Sequence, residues 1–404
     1  MIPSATVNRP RTPRRTRSQK LARQRARKQP AEQPVLPPSQ RPPADVTRDW
    51  FLVWRCPRLG GANPQRLDNP VWRWLAGQPE LSAYMANLHF AGPSSMEVGP
   101  GWCGHRFGQS ATALPDGRTI HIGGEHEDYY DPDFYIYNDV FVTTPAGERA
   151  IYGYPHEVFP PTDFHSATLV GERIVIIGNL GYSTRRVPNE TPVYALDLRT
   201  LAITRLTTTG ALPGWIFKHR AELSADGATI TIAGGQRFVA TADGGQIRDN
   251  HDDWSLDLER LTWTRLTDRR WQQWALSRAD GKSNHLFTIW CMAFHADERT
   301  AFDREQMATH VAELGWRPDF TAHAARYSPP IEHASVPSPD GDDTMTTRIR
   351  VGCVTVCYLE QSRDVRITIE GTLPPEQVQI LIEDARSKLE ALERSPHVAR
   401  LLAD

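Results

Sequence analysis

Short apolar runs separated by turn residues dominate the middle of the chain. Residues 119–122, 174–177 and 229–233 each read as a strand that follows a tight turn and ends on a glycine. Thr119, Ile120, His121 and Ile122 alternate polar and apolar, as do Thr229, Ile230, Thr231 and Ile232, so one face of each strand points into packing. The run 174–177 is apolar throughout, the pattern of a strand buried on both faces. Another short strand precedes each run, at 107–114, 164–170 and 218–224. A longer loop then leads to two more strands joined by a turn, at 138–152, 193–206 and 254–266. The unit is therefore four antiparallel strands, written three times. Gly123, Gly178 and Gly234 mark the period, 55 and 56 residues apart. A period near 50 residues predicts radially repeated β-blades.

The flanks follow different patterns. Residues 50–54 read as a strand. Residues 69–75 read as a short helix with Asn69 as its cap and Pro70 at its first position. Residues 80–88 read as a second helix carrying Leu81, Met85 and Leu88 on one side. Three units are fewer than the roughly four blades of a closed propeller. Degenerate blades are therefore expected from 50–103, from 271–294 or from both, with an open array as the alternative. Beyond 266 the pattern predicts a strand at 284–294, a helix at 303–314 and a hairpin made of 347–358 and 364–370. A last helix begins at Pro374 or Pro375, with Val378, Leu381, Ala385, Leu389 and Leu392 inward. The expected fold class is mainly β: a propeller over 49–275, a small α+β sandwich over 284–404 in split-βαβ order, and a disordered tail over 1–48.

Particular residues carry a family resemblance. Strand starts recur at Gln109-Ser110-Ala111, His165-Ser166-Ala167 and His219-Arg220-Ala221. Doublets recur at Gly123-Gly124 and Gly234-Gly235, with Gly178-Asn179 in the second copy. Asn138-Asp139-Val140 opens a third strand, and Trp263 sits in a fourth. These features resemble the kelch repeat family over about 160 residues, with Ile151 and Ile203 standing where the family has tryptophan. The resemblance implies a kelch-type β-propeller whose His165, His219 and Arg106 fasten neighbouring hairpins. It also implies loops presented to a protein partner. Some kelch-like propellers are instead enzymes, among them copper oxidases and sugar epimerases.

Charge changes the picture at one end. Residues 1–48 hold 12 Lys and Arg against Glu32 and Asp45, so the remaining chain carries −12 of a net −2. This basic, proline-rich tail cannot bury enough apolar surface to fold alone. It suggests an electrostatic arm for nucleic acid, with a plain solvated linker as the simpler reading. No run approaches a membrane span and the tail lacks the apolar core of an export signal. The odd count of five cysteines shows no metal-type spacing. A reduced, cytoplasmic protein is expected, with Cys353 and Cys357 on one face of a strand.

Candidate chemistry concentrates in one stretch. Glu125, His126, Glu127, Asp128, Tyr129, Tyr130 and Asp131 form an acidic, tyrosine-rich loop between the second and third strands of the first unit. Carboxylates among tyrosines suit a surface for a basic partner protein. A divalent cation held by Glu125, Asp128, Asp131 and Asp133 lacks a matching loop signature. The corresponding loops, around 182–186 and 238–253, are expected on the same rim. No nucleophile elbow, phosphate loop or zinc motif occurs, so no catalytic residue, metal or cofactor is assigned. Tyr137, His121 and Cys103 are the residues an oxidase-like channel would draw on.

Overall fold

A computed structural model describes residues 36–402 except 68, 79, 129–130, 241–244 and 338–344. Of the expected tail, residues 1–35 lie outside the described residues, as do Tyr129 and Tyr130. The chain divides into two compact units, 1–267 and 268–404.

The repeat becomes three antiparallel sheets in the first unit. The first contains Ser110–Ala113, Thr119–Ile122, Val140–Thr143 and Arg149–Gly153, with Gln65–Arg66 added at its edge. The second contains Ser166–Val170, Arg173–Ile177, Val193–Asp197 and Ile203–Arg205. The third contains Arg220–Leu223, Thr229–Ala233, Trp254–Asp257 and Thr262–Arg265, with Thr209–Gly210 joining in parallel. The last turn of each later copy is held the same way. Asp197 accepts from the backbone of Arg199 and Thr200, and Asp257 from that of Glu259 and Arg260.

The sheets stack face to face. Ile120, Ile122, Val140 and Val142 of the first meet Ile174, Ile176, Leu196 and Ile203 of the second. Val175, Ile177 and Val193 on the reverse face meet Ile230, Ile232, Leu256 and Trp263 of the third. The second sheet is thus buried on both sides, as its unbroken apolar run predicts. Polar contacts repeat across both junctions. Ser110 Oγ lies 2.8 Å from His165 Nε2, and Ser166 Oγ lies 2.9 Å from His219 Nε2. Phe164 N donates to Gly108 O at 2.8 Å, and Lys218 N to Phe164 O at 2.8 Å. Gly108, Phe164 and Lys218 share positive φ values of 63°, 49° and 56°, a shape that costs a side-chain-bearing residue energy.

The two ends of the stack differ. The third sheet's far face carries Glu222, Thr231, Ser255 and Thr264, none of them buried. The first sheet's far face is covered by helices. Residues 50–54 do not form a strand. Thr47 caps a helix over Arg48–Trp54, which buries Phe51. The run is too short for periodicity to separate strand from helix, and the cap decides. Asn69 caps Pro70–Ala76, and Ser82 caps Ala83–His89, three residues later than the expected start at 80. Residues 50–103 therefore supply a helical layer in place of a degenerate blade. Residues 36–48 do not belong to a tail either: Leu36 and Val46 are buried in this layer's core, and Trp74 Nε1 donates to Gln40 O at 3.2 Å.

Arg106 joins the layer to the first sheet. Its guanidinium pairs with both Asp139 oxygens at 2.5 and 3.0 Å, donates to Cys103 O and Gly123 O, and lies 3.5 Å from the Tyr137 ring centre. Burial disfavours its charge, but Asp139 outweighs that and raises the pKa above its ordinary value.

In the second unit one sheet runs, in order, Ala334–Val336, Thr346–Val351, Val354–Glu360, Asp364–Glu370, Gln272–Arg278 and His397–Leu402. Every neighbouring pair is antiparallel; Asp364–Glu370 and His397–Leu402, joined through Pro375–Glu393, flank Gln272–Arg278 and so run parallel with a strand between them, the expected split-βαβ order, with 272–278 and not 284–294 as its first strand. Residues 272–275 belong here and not to the repeat array, because their partners are 364–370 and 397–402. Pro375–Glu393 lays Val378, Leu381, Ala385 and Leu389 on the sheet. Leu286–Phe294, read as a strand, is a helix; an apolar run of this length fits either form. Ala301–Leu314 is the expected helix, capped by Thr300 and Asp303. The stretch 347–358 is itself a hairpin, turning at Gly352, whose φ is 60°. The exposed Cys353 therefore sits in the turn and the buried Cys357 in a strand, not together on one strand face.

Candidate partner-binding rim

The acidic stretch is a hairpin, not a loop. Glu125–Asp128 pairs with Asp131–Ile136, and Glu125 exchanges two backbone hydrogen bonds of 2.8 Å with Phe107. Strand alternation then sorts the side chains. Glu127 is exposed, Glu125 is half-buried, and His126 is buried at 3% exposure. His126 is thus not a surface group, contrary to the expectation for the whole stretch.

Glu125 meets Asp163, a residue the sequence reading passed over. Asp163 is fully buried and its Oδ1 accepts from Gly181 N at 2.7 Å. Its backbone N–H donates to Asn179 Oδ1 at 3.1 Å. Burial and then the neighbouring Asp163 push the Glu125 carboxyl up to about 7, with Lys218 opposing and Glu127 adding to the shift. Burial likewise raises Asp163, while the Gly181 N–H, Glu125 and Arg186 draw it back. Both carboxyls are thus pushed toward their protonated forms, by burial first and, at Glu125, by the charge of its neighbour as well.

Tyr182 and Arg186 connect the three rim segments. The Tyr182 hydroxyl accepts from Ile136 N at 3.0 Å, and its ring meets Phe134 edge-on at 5.9 Å. Phe134 is itself 43% exposed. Arg186 donates to Leu180 O and Gly181 O, and its guanidinium stands 5.9 Å from the Phe238 ring centre. Phe238 belongs to the third copy's hairpin, Gln236–Val239 with Gln246–Asp249. The three loops at equivalent repeat positions therefore form one continuous surface.

A cleft of about 260 Å³ opens beside Tyr182. Its lining includes His156, Pro160, Pro161, Arg185, Tyr194 and Trp215. Glu190 and Arg205 pair across one wall.

The other sequence-named groups lie elsewhere. Trp263 is buried between the second and third sheets. Tyr137 gives its hydroxyl proton to Gly101 O at 2.9 Å and accepts from Cys103 N at 3.1 Å. His121 stacks on Phe141 at 4.4 Å, and burial lowers its pKa to about 4. These three residues are taken up where the helical layer meets the first sheet. Among the described residues, no group of three or more His, Cys, Asp or Glu is placed to hold a metal ion. Also among them, no helix is long and apolar enough to cross a membrane. Comparison of the chain with protein-family models and with curated proteins finds no match to either.

Proposed function

We propose that the chain is an interaction protein: a kelch-like array of three blades, open at the third, that presents its rim to a protein partner. The observation that carries this reading is the joining of three rim segments through Tyr182 and Arg186. Half-exposed Phe134, exposed Glu127 and the adjoining cleft supply the aromatic anchor, charge and concavity that protein recognition uses. The repeated Ser–His and backbone contacts support the kelch-like reading, since each copy grips the next in the same way. A cytoplasmic setting accords with five cysteines that form no disulfide. The test is capture of partners by the full chain, compared with Phe134→Ala and Glu127→Lys. Loss of the same partner in both variants, with melting temperature unchanged, supports the rim; retention in both sinks the reading.

The half-buried Glu125 beside the buried Asp163, both carboxyls raised, favours a second reading, an enzyme acting on carbohydrate. A carboxyl that burial keeps protonated can serve as a general acid. A glycoside or sugar-epimer substrate turned over by the native chain, but not by Glu125→Gln, would establish it.

A further inference from the structure

We infer that the cleft beside Tyr182 receives the C-terminal residue of a partner polypeptide, with an apolar side chain inside and its α-carboxylate at Arg185. This inference rests on the rim reading and names the partner's chemistry. The inner lining is apolar. Tyr194 and Trp215 are nearly buried, and Pro160, Pro161 and Val187 complete the walls. The Trp215 indole N–H is already given to Leu180 O at 3.3 Å, so the ring offers the cleft mainly its apolar surface. Asn179 is engaged as well, accepting from Asp163 N and donating to Pro161 O. Glu190 and Arg205 neutralise each other.

Two basic groups are left over. Among the described residues, neither the exposed Arg185 nor His156 has a side-chain partner, and both line the cleft. The free charge at the cleft is therefore that of Arg185, with the Tyr182 and Tyr194 hydroxyls beside it. An anion is selected at the mouth and an apolar group within. An internal Asp or Glu carries its charge on too short a stem to fill about 260 Å³. A free amino acid would bring an ammonium group, and the one carboxylate in the lining is already paired. A chain terminus places an apolar side chain and a carboxylate on one residue without that ammonium.

The experiment measures fluorescence anisotropy of a labelled octapeptide ending in Phe, as free acid and as C-terminal amide, against the full chain. The acid should bind about ten-fold or more tighter than the amide. Arg185→Gln should abolish that preference, and Val187→Trp should block both forms by filling the cleft. Equal binding of acid and amide overturns the inference, as does an acid preference that survives Arg185→Gln. N-acetylphenylalanine competing as well as the peptide would assign the cleft to a small acid and overturn the polypeptide part. A partner lost in Phe134→Ala but kept in Arg185→Gln and Val187→Trp would leave the rim reading standing and remove this one.

Discussion

Gly178 and Gly234 occupy the same place in successive copies of one repeat, and both hold positive φ, 79° and 66°. A Cβ on Gly178 would collide with Ile216 O, the backbone that leads into the third sheet. A Cβ on Gly234 would have nothing within 4 Å. Gly123, in the first copy, behaves like Gly178, with Thr162 O in the way. The same sequence signal thus answers two demands. Inside the stack, glycine is needed because the next sheet comes close. At the end of the stack, only the backbone conformation needs it. The faces of the sheets agree: the second is apolar on both sides, while the third ends in Glu222, Thr231, Ser255 and Thr264. A polar outer face is how repeat arrays finish without aggregating.

Substitutions can break this comparison, beginning with the largest effect. Asp139→Asn leaves the buried Arg106 guanidinium without its counter-charge at the helix-covered end, and about 3–5 kcal/mol should be lost in urea unfolding. Gly178→Val adds a collision with a fixed carbonyl to a strained φ, and several kcal/mol are expected on the order of overpacking plus backbone strain. Sequence reasoning would assign Gly234→Val the same steric cost. The open space there reduces it to the left-handed backbone term, about 1–2 kcal/mol. Equal melting temperatures for these two variants would refute the idea that the stack ends at the third sheet.

The carboxyl pair gives a pH-dependent prediction at the rim. Glu125 has a folded pKa of about 7 against an ordinary 4.5. Its protonated form is thus favoured by folding. Stability from this group is fully present below its ordinary value and is lost as pH rises through about 7. Glu125→Gln should flatten that part of the stability–pH curve, measured by thermal melts from pH 4.5 to 8. An unchanged curve would mean that the fold does not raise the Glu125 carboxyl. The smallest effect belongs to the open face: Thr231→Val should stay within about 0.5 kcal/mol.

Much of the repeat was legible because it is local. Turn residues, alternation and the glycine period place all four strands of each copy, and the apolar run 174–177 reports burial on both faces. Asn69 and Pro70 mark their helix for the same reason, since a cap is chemistry within one turn. Residues 50–54 and 284–294 misled, because short aromatic and aliphatic runs satisfy a strand or a buried helix equally well. The acidic rim stretch drew notice by composition. Its inward Glu125 and buried His126 were hidden because a loop reading assigns no alternation. Asp163 had no signal of its own; its role appears only when the second copy's loop is set against the first copy's hairpin.

The sequence by itself determined where the four strands of each repeat lie, how often the unit recurs, and which of their faces are apolar. These properties depend on neighbours a few residues apart, through steric preference and side-chain periodicity. The tertiary structure alone decided that helices cover the first sheet, that Arg106 finds Asp139, and that Glu125 meets Asp163. It also decided that Gly178 is crowded while Gly234 is not. Those outcomes depend on groups far apart in the chain, and close packing and the cost of burying charge select them only once the sheets are stacked.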